Sequence, residues 1–323
     1  MRSGVGFEMG ISRRDFLKGS GMAVGSLMAT SALPALADDP SVFPDRGKFE
    51  RLSLQFYEID AGATKPFTLL HISDTHLTAA YLDDLPYAVR HAAKRTRTFG
   101  GRQEEALRDS IAWAKEHVDY LVHTGDLIDW HSRANFDLVK TYFGKAGPMM
   151  FGCIGNHEYS HGLNGKKHSE QERKAAFDQM ASSFPFDVRF SSTVVNGVNF
   201  IAIDNSAGPI SADQASRFEA EVKKGLPIIL CMHCPFVLRG VIHAARRFWR
   251  FDKRYKQIPD LTDWRENFKE NKEFAAYLRA QPLLKGILCG HGHYGVVDQF
   301  SPTAKQYMVG ANFFFHGNEF TIR

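Results

Sequence analysis

The sequence predicts an α/β protein in which short buried strands alternate with amphipathic helices. From residue 67 onward, short apolar runs recur between longer stretches whose apolar residues follow a helical period. Most of the apolar runs hardly alternate between apolar and polar residues, which is typical of strands covered on both faces. We therefore expect strands inside the protein with helices packed over them.

The candidate elements follow one another along the chain. Strands are expected at 67–73, 118–125, 149–155, 199–204, 227–232 and 283–290, and an all-β tail at 295–300, 305–311 and 319–323. The pair Asn196-Gly197 between two β-branched runs predicts a tight hairpin. Ser211 is a favourable N-cap for one of the helices. Helices are expected at about 101–117, 132–144, 169–181, 211–224 and 266–279.

The first 37 residues have the pattern of a targeting signal. Arg13 and Arg14 precede a moderately apolar run, which closes at residues 35–37 with the small-residue cleavage pattern Ala-Leu-Ala. This pattern predicts a twin-arginine signal peptide, and so export by the twin-arginine translocation machinery to the periplasm or cell envelope. An ordinary signal peptide or a membrane anchor is the alternative, although the run is short and glycine-rich for a membrane span. Met9 is an alternative start.

The remaining chain, 38–323, is expected to form one domain. No linker, internal repeat or low-complexity tract divides it, and a chain of this size can enclose one large core. We expect no transmembrane segment in it, because no later run is long and apolar enough.

The charge of the chain is modest. The formal net charge is +4, and since the signal carries four basic and two acidic side chains, the mature chain keeps +2. Such a small excess argues against a dedicated nucleic-acid binder. Two basic segments, 87–103 and 238–256, follow strands that carry candidate site residues. They are either solvated helix faces or part of a surface that binds an anionic substrate or polymer.

The four cysteines lie at or near the ends of strand candidates: Cys153, Cys231, Cys234 and Cys289. The spacing of Cys231 and Cys234 raises a redox or zinc site as one interpretation. Their place at strand ends favours the other, in which small apolar side chains pack as free thiols.

Polar side chains collect where the strand candidates end. The set comprises Asp74, His76, Asp126, Asn156, His233, His291 and His293. Since α/β sheets place their sites at the carboxyl ends of strands, these oxygen and nitrogen donors are expected to converge. Imidazole and carboxylate groups suit transition metals such as zinc, iron and manganese. The sequence therefore predicts a metal site.

These blocks, D-x-H, G-D, G-N-H-E, H and G-H-x-H, resemble the calcineurin-like metallophosphoesterases over nearly the whole mature chain. The resemblance implies a four-layer α/β/β/α sandwich with two mixed β-sheets. It also implies a metal-dependent phosphoric ester hydrolase with a phosphoester substrate and two divalent or trivalent ions (Fe, Mn or Zn). Two such ions, ~3.5 to 4 Å apart, bind a phosphate and hold a hydroxide between them, so the implied reaction is metal-hydroxide attack.

The resemblance divides the seven donors between the two ions. Asp74, His76 and His293 would hold the first ion, and Asn156, His233 and His291 the second. Asp126 would bridge the ions through its two oxygens. Glycines beside the donors, such as Gly290 and Gly292, would let the backbone turn sharply and let a phosphate approach.

The resemblance also implies catalytic roles for His157 and Asp129. In the family, the histidine of G-N-H-D/E protonates the leaving oxygen and orients the phosphate. Asp129 matches the dyad aspartate of the phosphoprotein-phosphatase branch, while Glu158 is the competing acidic partner. Trp130 stands where that branch carries an arginine, which argues against a specific protein phosphatase.

Other branches and one other class of protein are alternatives. Asp129 occupies the place of the tyrosine ligand of purple acid phosphatases, so a purple iron centre is not expected. A cyclic-nucleotide or other phosphodiesterase is the alternative enzyme, because "DTHL" and "LCGHGH" resemble the class III enzymes, although their GNHD is GNHE here. A non-catalytic metal or phosphate binder is the alternative from another class. The intact His157 and the complete ligand set argue against it.

Overall fold

The computed structural model describes residues 49–83, 86–144, 150–159, 177–206, 209–249 and 269–323. Within these residues the chain forms two β-sheets that pack face to face. Their strands are β1 (Ser53–Ile59), β2 (Phe67–Ile72), β3 (Tyr120–Thr124), β4 (Met150–Cys153), β5 (Phe190–Val195), β6 (Val198–Ile203), β7 (Ile228–Cys231), β8 (Leu284–Cys289), β9 (Val296–Gln299), β10 (Lys305–Met308) and β11 (His316–Ile322).

Both sheets are mixed, as the resemblance implied. The first has the strand order β1-β11-β2-β3-β4, and only the β11–β2 pair in it is antiparallel. The second has the order β5-β6-β7-β8-β10-β9, with β5–β6 and β9–β10 antiparallel. The predicted hairpin joins β5 to β6, and Asn196 and Gly197 both have a positive φ, 45° and 83°.

Most of the helices longer than one turn lie on the outer faces of the sheets. The labelled helices are α1 (Pro86–Thr98), α2 (Gln103–His117), α3 (Arg133–Phe143), α4 (Ala212–Val222), α5 (Arg239–Trp249) and α6 (Lys269–Arg279). Helices α2, α3, α4 and α6 lie at predicted positions. Ser211 caps α4 as predicted, because its hydroxyl accepts the N–H of Gln214 at 3.2 Å. Of the helix predicted at 169–181, only 177–181 are described, and they are helical.

Three elements have no counterpart among the predicted ones. β1 is partly exposed, so its sequence lacks the uninterrupted apolar run that marks the buried strands. α1 and α5 lie in the two basic segments, whose charges leave only a narrow apolar stripe for packing. On α5 this stripe includes the fully buried Val241 and Ala245.

Three apolar cores separate four layers of secondary structure. Leu69 of β2 and Phe200 of β6 lie in the core between the sheets. Leu70 of β2 lies with Leu107 of α2 in the core outside the first sheet, and Leu278 of α6 lies in the core outside the second. The successive residues Leu69 and Leu70 thus point into different cores, as the two-residue period of a strand requires. The predicted α/β/β/α sandwich is confirmed.

The four cysteines are buried free thiols. Cys153 and Cys231 lie in the core between the sheets, and Cys289 lies in the core between the second sheet and its helices. Burial raises the pKa of these three thiols, so they stay protonated and poorly reactive. The prediction that they pack as small apolar side chains is confirmed for Cys153, Cys231 and Cys289, whereas Cys234 lies beside His233 and His291.

The predicted signal peptide, residues 1–37, lies outside the described residues. No described helix combines the length and the apolar character that crossing a membrane requires.

Candidate metal centre

The loops that follow β2, β3, β4, β7 and β8 carry the seven predicted donors: Asp74, His76, Asp126, Asn156, His233, His291 and His293. Backbone hydrogen bonds join these loops in pairs. Asp74 N donates to Gly125 O at 3.0 Å, and Gly290 N donates to His233 O at 3.0 Å. The donors therefore stand on loops that are fixed to one another at the strand ends of both sheets.

Five of the seven donors have a left-handed backbone conformation, which residues other than glycine rarely adopt. The φ angles are 56° at Asp74, 46° at His76, 54° at Asp126, 71° at His291 and 64° at His293. Such a conformation costs on the order of 1–3 kcal/mol per residue, and it persists only where the surrounding structure imposes it. Its concentration at one edge of the sandwich is typical of a functional site.

Gly125, beside Asp126, has a positive φ of 93°, whereas Gly155 and Gly290 provide space. Neither Gly155 nor Gly290 has a positive φ. A Cβ atom on Gly155 would lie 2.2 Å from Asp126 Oδ1, and one on Gly290 would lie 2.5 Å from Asp74 Oδ2. At the turn after β8, His291 and His293 take the positive φ themselves, and Gly290 leaves the space that the turn needs. The glycines let carboxylates approach the neighbouring backbone.

The first group of donors comprises Asp74, His76 and His293. His293 Nε2 lies 3.3 Å from Asp74 Oδ1 and 3.2 Å from His76 Nε2. The other ring nitrogen of His76, Nδ1, donates to Asp129 Oδ1 at 3.0 Å, which leaves the Nε2 lone pair facing the group. Burial, followed by the nearby His157, lowers the pKa of His76 to about 4, so its imidazole is neutral as a ligand must be.

The second group lies around His233. His291 Nδ1 is 3.1 Å from His233 Nε2, and Asp126 Oδ2 is 3.2 Å from the same nitrogen. His233 Nδ1 donates to Thr124 O at 2.7 Å, which directs Nε2 toward the group. Burial opposes protonation of His233, but Asp126 outweighs it and raises the pKa to about 9, so a metal must displace a proton here. The sulfur of Cys234 also lies within 4.8 Å of ring nitrogens of His233 and His291.

Asp126 lies between the two groups. Its Oδ2 atom is 3.6 Å from His76 Nε2 and 3.2 Å from His233 Nε2. Its Oδ1 atom accepts the backbone N–H of His157 at 2.9 Å. Of the two oxygens, Oδ2 is the one with contacts to both groups, so it is the candidate bridging atom.

The residues fit the two metal ions that the resemblance implies. Two buried oxygens, Asp74 Oδ1 and Asn156 Oδ1, accept no hydrogen bond of good geometry within the described part of the chain, although His293 Nε2 lies 3.3 Å from the first. An unpartnered buried oxygen costs about 1–3 kcal/mol, and a cation would satisfy it. Imidazole nitrogens with carboxylate and amide oxygens are a donor set that iron, manganese and zinc accept. Asp74, His76 and His293 would hold one ion, and Asn156, His233 and His291 the other.

His157 lies beside the donors. Its Nδ1 is 2.8 Å from Asp129 O and 3.1 Å from Asp129 Oδ1. Burial disfavours its charged form, but Asp126 and Asp129 outweigh burial and raise the pKa of His157 to about 10. Asp129 is itself buried, yet Arg95, His157 and His76 hold its pKa well below the usual range. The pair is therefore an imidazolium hydrogen-bonded to a carboxylate.

Glu158, the competing partner of His157, binds backbone instead. Oε2 accepts the N–H groups of Gly155 at 2.6 Å and of Asp126 at 3.1 Å. Oε1 accepts those of Leu127 at 2.6 Å and of Ile128 at 3.1 Å. Glu158 thus joins the loops after β3 and β4, and of the two acidic side chains only Asp129 contacts the His157 ring.

Sequence reasoning missed three side chains that surround His76. Phe99 stacks on its ring at 4.5 Å between centroids, and Phe313 meets it edge-on at 5.6 Å. Arg95 binds Asp129, the partner of His76 Nδ1. The only signal for Arg95 was its place in the basic segment 87–103, and the aromatic residues carried none.

The sequence profile of the calcineurin-like phosphoesterases matches residues 67–295, from β2 to just beyond His293, and so contains all seven donors. The chain belongs to this family. As a calcineurin-like phosphoesterase it is a hydrolase, and its grouped histidine and aspartate side chains could bind metal ions.

Solved structures similar to this calcineurin-like phosphoesterase include a dimetal phosphatase from Danio rerio, 15% identical with a TM-score of 0.49, covering 76% of this chain and 88% of that one. A phosphopantetheinyl hydrolase from Mycobacterium tuberculosis is 14% identical with a TM-score of 0.40, over 77% and 91% of the two chains. A 5'-nucleotidase from Candida albicans is 15% identical with a TM-score of 0.38, over 76% of this chain and 45% of that one. A comparison with curated proteins finds no match.

Proposed function

We propose that the protein hydrolyses phosphate esters with two metal ions bound at this centre. The observation that carries the proposal is the position of Asp126 Oδ2, which faces His76 Nε2 at 3.6 Å and His233 Nε2 at 3.2 Å. A carboxylate oxygen placed between two groups of ligands is what a bridging ligand requires. Asp74 Oδ1 and Asn156 Oδ1, buried without a hydrogen bond, support the same proposal.

The donor set favours iron, manganese or zinc over magnesium or calcium, because imidazole nitrogens outnumber oxygens. When bound, two such ions supply Lewis acidity to the phosphoryl oxygens and lower the pKa of water to a value near neutrality.

The chain supplies the proton for the leaving group. The side chain of His157 is 29% exposed, and no described residue hydrogen-bonds its Nε2. As the bond between phosphorus and the leaving oxygen breaks, Nε2–H donates its proton to that oxygen. Asp129 holds the ring through Nδ1, so the imidazole keeps its orientation whether or not the proton has left.

We further propose that the mature chain works in the periplasm or cell envelope after export by the twin-arginine machinery. The support is the sequence of residues 1–37, with paired arginines, an apolar run and a small-residue cleavage pattern.

Metal analysis of protein purified without added metal, followed by kinetics, tests the proposal. We expect close to two transition-metal ions per chain, with turnover lost on chelation and restored by Mn²⁺ or Zn²⁺. Nitrophenyl mono- and diesters assayed side by side separate the phosphatase from the phosphodiesterase alternative. A protein that binds two ions and hydrolyses no ester would be the non-catalytic binder instead.

A further inference from the structure

The Asp129 carboxylate is bound by side chains from three different elements. Oδ1 accepts from His76 Nδ1 at 3.0 Å and lies 3.1 Å from His157 Nδ1. The guanidinium of Arg95, on α1, donates from Nη2 to Oδ1 at 2.8 Å and from Nε to Oδ2. One buried carboxylate therefore joins a predicted metal ligand, a predicted general acid and an arginine.

We propose that Arg95 is a positioning residue, which holds the Asp129 carboxylate in the orientation that aligns His76 and His157 together. The inference deepens the proposed function and rests on it for the roles of the two histidines. Arg95 itself would touch neither metal nor substrate.

The geometry of the Arg95–Asp129 pair supports this role. Two parallel N–H groups on one carboxylate fix its plane as well as its distance, which a single ammonium group cannot do. The side chain of Asp129 is 1% exposed and that of Arg95 is 24% exposed, so little water competes for these hydrogen bonds. A guanidinium also keeps its charge throughout the pH range of a folded protein.

Phe99, the residue directly after α1, ties the end of this helix to His76. The guanidinium of Arg95 lies over the Phe99 ring at 4.7 Å, and that ring stacks on the His76 imidazole at 4.5 Å and 21°. The hydroxyls of Thr96 and Thr78 also hydrogen-bond, which joins α1 to the loop just after His76. His76 is therefore held by α1 on one face and, through Asp129, at its Nδ1 edge.

Arg95 differs from the other basic residues of α1. Arg90, Lys94 and Arg97 are exposed, whereas Arg95 points inward. The described part of the basic segment 87–103 is thus neither a plain solvated face nor a uniform anion-binding surface.

Arg95→Ala should release the carboxylate and disturb both histidines at once. Loss of a side chain that orients metal ligands costs ~10- to 100-fold in metal affinity or activity. We expect the affinity for Zn²⁺, measured by competition with a chromophoric chelator, to fall by about this factor. At saturating Zn²⁺, kcat should fall more for an alkyl phosphate than for nitrophenyl phosphate, because only the alkyl leaving group depends on a well-placed proton donor.

Two further variants separate positioning from a structural role. Arg95→Lys keeps the charge and most of the volume but loses the two-point contact, so it should recover the losses only in part. Free guanidinium ion added to Arg95→Ala should restore part of kcat. Arg108→Ala is the matched control, since it removes an exposed arginine that pairs with Glu104 on α2, and it should behave as wild type.

Unchanged Zn²⁺ affinity and unchanged leaving-group dependence in both Arg95 variants would overturn the inference, and so would complete recovery in Arg95→Lys. If Arg95→Ala does not fold, the Zn²⁺ affinity and the leaving-group dependence of Arg95→Lys decide whether the inference holds. A wild-type protein that binds Zn²⁺ but hydrolyses no ester would contradict the proposed function alone. The Zn²⁺ affinities of the variants would still decide whether Arg95 positions Asp129.

Discussion

Asp126 is held in place by residues of the loop after β4 before any metal is considered. Its N–H donates to Glu158 Oε2 at 3.1 Å, and its Oδ1 accepts the N–H of His157 at 2.9 Å. Its side chain is 2% exposed, and the remaining oxygen faces His76 and His233. At the scale of single residues, one backbone N–H and one side chain of the same loop thus orient the carboxylate that carries the proposed bridging oxygen.

Asp126→Asn should cost metal occupancy and activity together. The substitution removes the negative charge between two cation sites, so binding of both ions weakens and the free energy of unfolding of the metal-loaded protein falls. Metal analysis after gel filtration, with kcat on nitrophenyl phosphate, measures both effects. Retention of both ions by the Asp126→Asn variant would contradict the bridging assignment.

His157→Asn should instead leave both ions bound. Since that imidazole is assigned to the leaving group, turnover should fall by ~10² to 10⁴, the usual contribution of a positioned general acid. The loss should be smaller for nitrophenyl than for alkyl phosphates, because a nitrophenolate leaves without a proton. Loss of metal, or an equal loss for both esters, would make His157 a ligand or a structural residue.

Glu158→Gln should destabilise the centre although Glu158 is not a donor. An amide offers one oxygen where the carboxylate offers two, so backbone N–H groups of Asp126 or Leu127 would face an NH₂ group. Leaving a buried donor unpaired costs about 1–3 kcal/mol in the free energy of unfolding. Urea unfolding of Glu158→Gln should show this loss, and the exposed Glu219→Gln on α4 should not.

At the scale of elements, helices α1 and α5 extend from the loops that carry the donors. α1 contacts the centre through Arg95, and Phe99, directly after the helix, stacks on His76. α5 contacts it less directly, because Tyr294, which follows His293, donates to Val241 O at 3.3 Å and lies 5.3 Å from the Phe248 ring. The two basic helices therefore differ, since α1 sends a charge inward and α5 presents Arg239 and Arg246 to solvent.

Arg246→Glu should raise KM for charged phosphoesters if α5 forms part of the rim that receives substrate. An exposed charge interaction is worth about 0.2–1 kcal/mol, so a rise of roughly 2- to 5-fold is expected, with kcat nearly unchanged and the effect reduced at high salt. Lys223→Glu, an equal charge change at the exposed end of α4, is the control. Equal KM values for the two variants would make α5 a solvated face.

At the scale of the whole molecule, the centre exists only where the two sheets meet. β2, β3 and β4 of the first sheet and β7 and β8 of the second each end at it. Beneath it the strands also bury histidines that are not donors. His71 Nε2 lies 2.8 Å from Thr124 Oγ1, and His123 Nδ1 accepts the N–H of Gly125 at 3.2 Å. Because both rings are buried, protonation of either one in the folded protein is unfavourable.

The metal-free protein should lose stability steeply below pH 6.5. Burial lowers the pKa of His71 and of His123 to about 3, so the unfolded chain takes up protons that the folded chain cannot. The free energy of unfolding then falls by up to about 1.4 kcal/mol per pH unit for each histidine. The pKa of His76, about 4, adds a further loss, while burial and Asp126 raise the pKa of Glu158 to about 7, which offsets about one histidine because the folded carboxyl takes up its proton before the unfolded one. The raised pKa values of His157 and His233 lie above this window, so their contributions change little within it.

Urea unfolding at pH 6.5 and 5.0 should show a decrease of about 2–4 kcal/mol, in a range still above the pKa values of the paired aspartates. In His71→Gln the decrease should be smaller, whereas in a Gln substitution of the exposed His243 it should match wild type. Equal decreases in all three proteins would show that protonation of His71 does not cause the loss of stability at low pH.

Replacing Arg13 and Arg14 with lysines should leave the precursor in the cytoplasm, because the export receptor reads the arginine pair and not its charge. Fractionation of cells that express either the wild-type or the lysine precursor measures the fraction of the protein that reaches the periplasm. Unchanged periplasmic delivery would contradict the twin-arginine assignment.

Most of the architecture could be predicted because its signals are local. The buried strands are short apolar runs, and each donor stands within five residues after such a run, as His233 does after Cys231 and Asp126 after Thr124. β1, α1 and α5 could not be predicted in the same way. Their apolar residues are interrupted by polar and charged ones, and packing against β11 for β1 and against the second sheet's core for α5 decides their structure.

From the sequence alone follow the α/β class, the donor set and the family resemblance, since residue types and their spacing from strand ends carry these properties. Only the tertiary structure decided that Asp129 and not Glu158 faces His157, and that one oxygen of Asp126 lies between the donor groups. It also decided that Arg95, 34 residues before Asp129, turns into the site while its neighbours on α1 stay exposed. The physical reason is that the partner of a side chain depends on how distant elements pack, and no local period of the sequence records that distance.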